Sequence, residues 1–223
     1  MPARPKIKFY YDIVSPYSYV GWVLIRRLRQ AWGGFDLELE PVFLSFVLSN
    51  PAVKSTPAAF NKLKLAHLHN DVLRLTAMHK FPMKFAPHWP LSTLKAHRML
   101  QGIKMHPQAP EHLEKITNYL YEGLWTRDED VSALEVLAKA AKSVGPAGEK
   151  YLAYIDDPDV KAALVAACSG AVEKGVNGTP TFIVTREDGQ TQTFFGSDRF
   201  DHIAWFLGKP YPIPPSVNAA PKL

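Results

Sequence analysis

Ser15-Pro16-Tyr17-Ser18, near the N-terminus, has the spacing of a redox Cys-x-x-Cys but carries a hydroxyl at each end. A hydroxyl cannot perform thiol–disulfide exchange, because the nucleophile of that reaction is a thiolate. It can hydrogen-bond a thiolate that another molecule brings. The apolar and aromatic run from Ile7 to Val14 reads as a buried strand, and Ser15-Pro16 reads as a helix start. Serine is a favoured N-cap, and proline at the first helical position gives up an amide that has no partner there. Strand, tight turn and helix N-terminus together put Ser15 where free amides and the helix dipole favour an anion. An ordinary helix cap uses the same residues, so this stretch alone leaves both roles open.

Little else in the chain competes for chemistry. Cys168 is the single cysteine and sits among alanines, so no intramolecular disulfide forms, and a reducing compartment and a buried, inert thiol are expected. Among the eight histidines, His67 and His69 are two apart on a helix and diverge, and no other pair has useful ligand spacing. No metal is expected. Thr126-Arg127-Asp128-Glu129-Asp130 reads as a solvated charged turn. The net charge of +5 comes without a run of Lys and Arg interleaved with aromatics that would mark a nucleic-acid groove, and the positive balance suits an anionic small ligand equally well. No apolar run reaches the roughly 18–20 residues of a membrane span. Met1 to Lys6 is expected to be too short for a cleaved leader before the first strand.

The elements that must position Ser15 follow in order. After the serine, Tyr19, Trp22 and Val23 give a helix an apolar face, and Gly33-Gly34 ends it. Asp36 to Phe46 reads as a second strand, completing a βαβ unit with parallel strands. Asn50 to Pro57 is a loop by composition. A long helix is predicted over Ala58–His79, with Leu65, Leu68, Val72 and Leu75 on one face, then an apolar, proline-stiffened connector from Phe81 to Pro90. Further helices are predicted near Ser92–Lys104, Pro110–Trp125, Ser132–Val144 and Asp159–Lys174. Leu113, Ile116, Leu120 and Leu124 form one stripe; Leu134, Leu137 and Ala141 form another. Thr181–Thr185 and Thr191–Phe195 read as a hairpin around Glu187-Asp188-Gly189-Gln190. Asp198–Leu207 reads as a last helix, capped by Ser197 or Asp198 and followed by an extended tail from Pro210. Without the middle helices the order is βαβ then ββα, a thioredoxin-like α/β fold interrupted by a helical insertion. The division expected is 5–56 with 175–223 for the thioredoxin-like part and 57–174 for the insertion. Thr179-Pro180 at the third strand's entrance suggests a cis peptide beside the first helix N-terminus.

The chain resembles the kappa-class glutathione transferases. The resemblance lies in Tyr11-Asp12-Ile13-Val14-Ser15-Pro16-Tyr17-Ser18, Gly178-Thr179-Pro180, Phe195-Gly196-Ser197-Asp198-Arg199 and the late run from Pro212 to Ala219. It extends from Lys6 to the C-terminus and implies a DsbA-like fold and a homodimer. It implies that Ser15 hydrogen-bonds the sulfur of glutathione, a co-substrate, with Pro16 and Tyr17 beside it along the turn. By the same resemblance Thr179 pairs with the cysteinyl backbone, while Ser197 and Asp198 hold the γ-glutamyl end with Arg199 adjacent, and Lys64 approaches a carboxylate. The loop contact departs from the family pattern: Asn50 offers the asparagine but arrives early, and counting from Pro57 puts Ser55 in its place.

The activity implied is detoxifying transfer of glutathione to a small electrophile, with hydroperoxide reduction as a second outlet. The thiolate, favoured by Ser15 and the helix N-terminus, is the nucleophile. Two alternatives share the fold: a glutathione-dependent 2-hydroxychromene-2-carboxylate isomerase, and a redox-inactive thioredoxin-like binding module. The module has no need of Ser197-Asp198, whereas a glutathione site does. The ending Pro221-Lys222-Leu223 resembles a Ser-Lys-Leu peroxisomal signal, so a peroxisomal location is expected, with the mitochondrion as alternative.

Overall fold

Alternation along the aromatic N-terminal run decides how the sheet is seated, since successive side chains of a strand face opposite sides. In the computed structural model, which describes residues 4–106 and 110–211, the first strand β1 (Lys6–Tyr11) buries Ile7, Phe9 and Tyr11 in the main core and sends Tyr10 to the other face. It pairs in parallel with β2 (Asp36–Pro41) and antiparallel with β3 (Thr181–Thr185), which pairs antiparallel with β4 (Thr191–Phe195). The order is β2-β1-β3-β4. This is the thioredoxin-like arrangement expected.

Each face is covered by helices whose stripes match it. On the first face, α1 (Pro16–Ala31) and α8 (Phe200–Leu207) meet a stack of rings. Phe9 lies 6.2 Å from Trp22 and 5.1 Å from Phe182, and Phe182 lies 5.0 Å from Phe200. On the second face, α7 (Pro158–Glu173) brings Leu164, Cys168 and Ala171 against Tyr10 and Val42. Burial pushes the Cys168 thiol up to about 11, which fits the inert role expected of it.

Between β2 and β3 the chain runs through α2 (Leu44–Ser49), α3 (Lys62–His79), α4 (Leu94–Met105), α5 (Pro110–Thr126) and α6 (Leu134–Lys142) before α7. The α5 stripe of Leu113, Ile116, Leu120 and Leu124 is buried as expected. In α6, Leu137 and Ala141 are buried, but Leu134 at the first turn is exposed, so the stripe is one residue shorter than its spacing suggests.

Several boundaries differ from expectation for local reasons. The second strand stops at Pro41, and the apolar run after it turns into α2, because Leu44 N–H donates to the Asp12 carboxylate and Phe43 N–H faces Cys168 Sγ at 3.3 Å. The long helix from Ala58 is broken at Asn61. Ala58–Phe60 is a 3₁₀ turn, and the Asn61 side chain caps α3 by accepting from Lys64 N. A second 3₁₀ segment, Pro146–Ile155, lies between the helices predicted over Ser132–Val144 and Asp159–Lys174. Beyond Tyr211, the tail expected to be extended and the terminal Pro221-Lys222-Leu223 lie outside the described residues.

Candidate functional site

The turn between β1 and α1 carries the site. Ser15 is the N-cap of α1, with extended backbone angles. Its Oγ accepts from Ser18 N at 3.2 Å and donates to the carbonyl of Thr179 at 3.1 Å. The Thr179–Pro180 peptide is cis, as the sequence suggested. The helix can approach that turn closely because residue 21 is glycine: a Cβ there would lie 3.2 Å from Phe182 and 3.4 Å from Pro180. Ser15 thus gives its proton to a neutral carbonyl. A thiolate is the stronger acceptor for the same proton, since charged partners form the stronger hydrogen bonds. The Tyr17 N–H lies in the first turn, where the helix ladder supplies no acceptor.

Behind the serine the turn is held from three directions. The Asp12 carboxylate is fully buried and accepts from Val14 N at 2.9 Å, Leu44 N at 2.7 Å and Thr93 Oγ1 at 2.7 Å, with His97 Nε2 at 2.9 Å. A carboxylate only accepts, so Nε2 carries the proton in that contact. Ile13 N also approaches Nε2 at 3.3 Å, but a nitrogen donating to Asp12 has no lone pair left for it. Burial pushes the Asp12 carboxyl up, yet the His97 charge and the bonds from His97, Leu44 and Thr93 outweigh it and hold it below the ordinary value. The carbonyls of Ile13 and Val14 are taken by the indole N–H groups of Trp125 and Trp89, each at 2.9 Å. Sequence reasoning assigned no role to Asp12, Thr93, His97 or Trp125. Asp12 did leave one signal: a carboxylate at the end of an apolar strand must find donors if it is buried.

Ser15, Pro16, Tyr17, Lys64 and Thr179 come together around a cleft of about 500 Å³. Its lining is largely apolar, with Phe43, Leu44 and Leu48, Phe60 and Leu68, and Trp89-Pro90-Leu91 among its residues. Lys64 is the one charged side chain among its described lining residues. Thr179 is 7% exposed, and its Oγ1 has no hydrogen-bond partner among the described residues. Of the two loop candidates, Ser55 lines the cleft and Asn50 does not, since the Asn50 Oδ1 accepts from Ala52 N within its own turn.

Ser197, Asp198 and Arg199 follow Phe195 at the cleft's edge without lining it. Gly196 turns the chain at φ +104, where a Cβ would meet the Asp198 carboxylate at 2.5 Å, and its N–H donates to Pro180 O at 3.0 Å. That turn delays α8 to Phe200, so Arg199 is its N-cap and neither Ser197 nor Asp198 caps it. Ser197 is buried, whereas Asp198 is exposed and accepts from Arg199 Nη1 at 2.8 Å. Asp198 still reaches the site electrostatically. Burial, the 2.9 Å hydrogen bond to Asp71, and the charges of Asp71 and Asp198 push the Tyr17 phenol well above its ordinary value. Tyr17 is therefore a neutral donor near neutral pH and no base.

Residues 6–208 match a family model described as a DSBA-like thioredoxin domain. The chain is 31% identical to glutathione S-transferase kappa 1 of Rattus norvegicus and 30% identical to that of Homo sapiens, in each case over 98% of both chains. Among solved structures it is similar to a 2-hydroxychromene-2-carboxylate isomerase, with a TM-score of 0.76 at 17% identity over 91% of this chain and 94% of the other.

Proposed function

The chain belongs to the DSBA-like thioredoxin family and, within it, to the kappa-class glutathione S-transferases, and from that premise we propose that it activates the glutathione thiol at Ser15 for attack on small electrophiles. The observation that carries this reading is the Ser15 hydroxyl at a helix N-terminus, facing a cleft and bonded only to a backbone carbonyl on its donor side. A free thiol with a pKa of about 8.5 is mostly protonated at neutral pH. The hydroxyl and the amides of the first turn favour its charged form and lower that value.

In this reading the cysteinyl backbone lies along Thr179, and the γ-glutamyl end reaches Ser197 and Asp198, whose carboxylate takes the ammonium. Lys64 takes a carboxylate, and Ser55 serves as the loop contact in preference to Asn50. The thiolate displaces a leaving group from an electrophilic carbon, forming the thioether and releasing the leaving group with its electron pair. With a hydroperoxide, the thiolate attacks the outer oxygen, forming the sulfenic acid as the O–O bond breaks and the alkoxide leaves and takes a proton from solvent. A second glutathione thiol then condenses with the sulfenic acid to give disulfide and water. The apolar cleft walls suit an apolar second substrate and keep water from the sulfur.

The test is to titrate the protein with glutathione at neutral pH while following thiolate absorbance. A saturable rise, suppressed by S-methylglutathione, is the expected result. Saturable binding without thiolate overturns the role of Ser15, and no binding overturns the whole reading. Asp198→Asn serves as a second check on placement. Asp198 sits away from the reacting sulfur, so its loss should raise KM for glutathione about tenfold and leave kcat within about twofold. A large fall in kcat at unchanged KM contradicts the role given to Asp198.

A further inference from the structure

Resting on the reading of Ser15 as the thiolate's hydrogen-bond donor, we propose that Asp12 and His97 are positioning residues of that reaction. Asp12 fixes the serine turn against the cleft wall, and His97 and Thr93 hold Asp12.

Asp12 does not line the cleft, yet it ties together the pieces that do. Its Oδ1 takes Val14 N and its own carbonyl takes Ser15 N at 3.1 Å, which sets the floor of the cleft. Its Oδ2 takes Leu44 N at 2.7 Å, which sets the neighbouring wall. Thr93 and His97, at the entrance and first turns of α4, anchor the carboxylate from behind. Val14, Ser15 and Leu44 all face the cleft. One side chain therefore fixes the spacing between nucleophile site and substrate wall.

The residue type agrees with that task. All four groups that meet the carboxylate are donors, and an asparagine would turn its own N–H₂ toward one of them. Stability alone gives little reason for a buried charge here, since well-packed apolar groups commonly serve a core as well as a buried ion pair or better. What the carboxylate adds is direction: each of its hydrogen bonds fixes a backbone amide or an α4 side chain. Displacing a reacting group by about 1 Å can cost about 10²-fold in rate, so a device that holds Ser15 and Leu44 in register acts on turnover.

The test compares Asp12→Asn, Thr93→Val, His97→Gln and His97→Leu with Ser15→Ala. It reads the pKa of bound glutathione's thiol, kcat, and KM for glutathione. Asp12→Asn should raise the bound thiol pKa and lower kcat by about tenfold to a hundredfold, with KM for glutathione within about threefold of wild type. Thr93→Val should move the same quantities in the same direction by less. His97→Gln keeps an N–H toward Asp12 and should retain more activity than His97→Leu. A purely structural role would lower thermal stability and leave the bound thiol pKa unmoved, and that result in folded Asp12→Asn overturns the proposal. If Asp12→Asn does not fold, wild-type thiol pKa and kcat in Thr93→Val and His97→Leu overturn it instead. Ser15→Ala separates the two levels. If it keeps the wild-type thiolate, the reading of Ser15 fails and the positioning role fails with it. If it loses the thiolate while the Asp12 set keeps it, only the positioning role fails.

Discussion

Ser15→Ala is expected to fold, to bind glutathione, and to lose about 10²-fold in turnover at neutral pH. The hydroxyl makes two bonds, accepting from Ser18 N and donating to Thr179 O. Losing the first removes an N-cap, which costs about 1 kcal/mol. In a chain of this length that corresponds to a fall in Tm of about 2–4 °C. Losing the second removes the donor offered to the thiolate, so the bound thiol's pKa moves back toward its free value of about 8.5. The sign is fixed by which form reacts. Wild-type activity should rise with pH through the lowered pKa and then level off. The variant should follow the same curve displaced to higher pH, so part of the loss is recovered in alkaline buffer. Glutathione affinity should change little, because Lys64, Thr179 and Asp198 hold other parts of the molecule in the proposed arrangement. A folded Ser15→Ala protein with an unshifted pH–rate profile contradicts the assignment. Together with Asp198→Asn the result is discriminating: one substitution acts on pH and kcat, the other on KM.

The parts of this site that a reader can take from the sequence are those set by local chemistry. Ser15-Pro16 marks a helix start because cap preference and the missing proline amide act within one turn. Thr181–Thr185 and Thr191–Phe195 were legible to the residue, since β-branched and aromatic residues stand between clear turn signals. The conversion of Leu44–Ser49 into helix was not legible, because a short apolar run reads as strand or helix alike. What decides it comes from far away: the Asp12 carboxylate 32 residues earlier and the Cys168 sulfur 125 residues later.

The same distinction separates the site residues that were found from those that were missed. Ser15 and Thr179 are marked by motifs and Lys64 by the family resemblance, and all three line the cleft. Thr93 and His97 carry no motif; they matter because α4 starts beneath a buried carboxylate. Weighing histidines by metal-ligand spacing passes over one whose partner is a single aspartate 85 residues away. Asn50 shows the converse. Its residue type fits a ligand contact, but asparagine at that point in a loop also satisfies its own backbone, and the Ala52 amide takes its oxygen.

Trp125→Ala should be the most damaging core substitution near the site, lowering stability by about 3–5 kcal/mol. The side chain is fully buried, with ring centroids 5.5 Å from Phe85, 6.1 Å from Trp89 and 6.5 Å from Tyr19. Truncation leaves a cavity among three rings that belong to two segments, Phe85 and Trp89 in the Phe81–Pro90 connector and Tyr19 in α1, and neither segment can collapse onto it without moving the other. It also strips the Ile13 carbonyl of its indole partner at 2.9 Å, and an unmet buried acceptor costs about 1–3 kcal/mol. Trp125→Phe separates the two losses. It keeps most of the ring packing and removes the N–H, so it should cost about 1–3 kcal/mol. Since Ile13 lies two residues before Ser15, both variants should also lower kcat once folding is corrected for, Trp125→Ala more than Trp125→Phe. Urea unfolding measures the stability change as a shift in midpoint at constant m-value. A Trp125→Phe protein with the midpoint and kcat of wild type would mean that packing alone holds the turn, and that the indole bond to Ile13 contributes nothing to placing the serine.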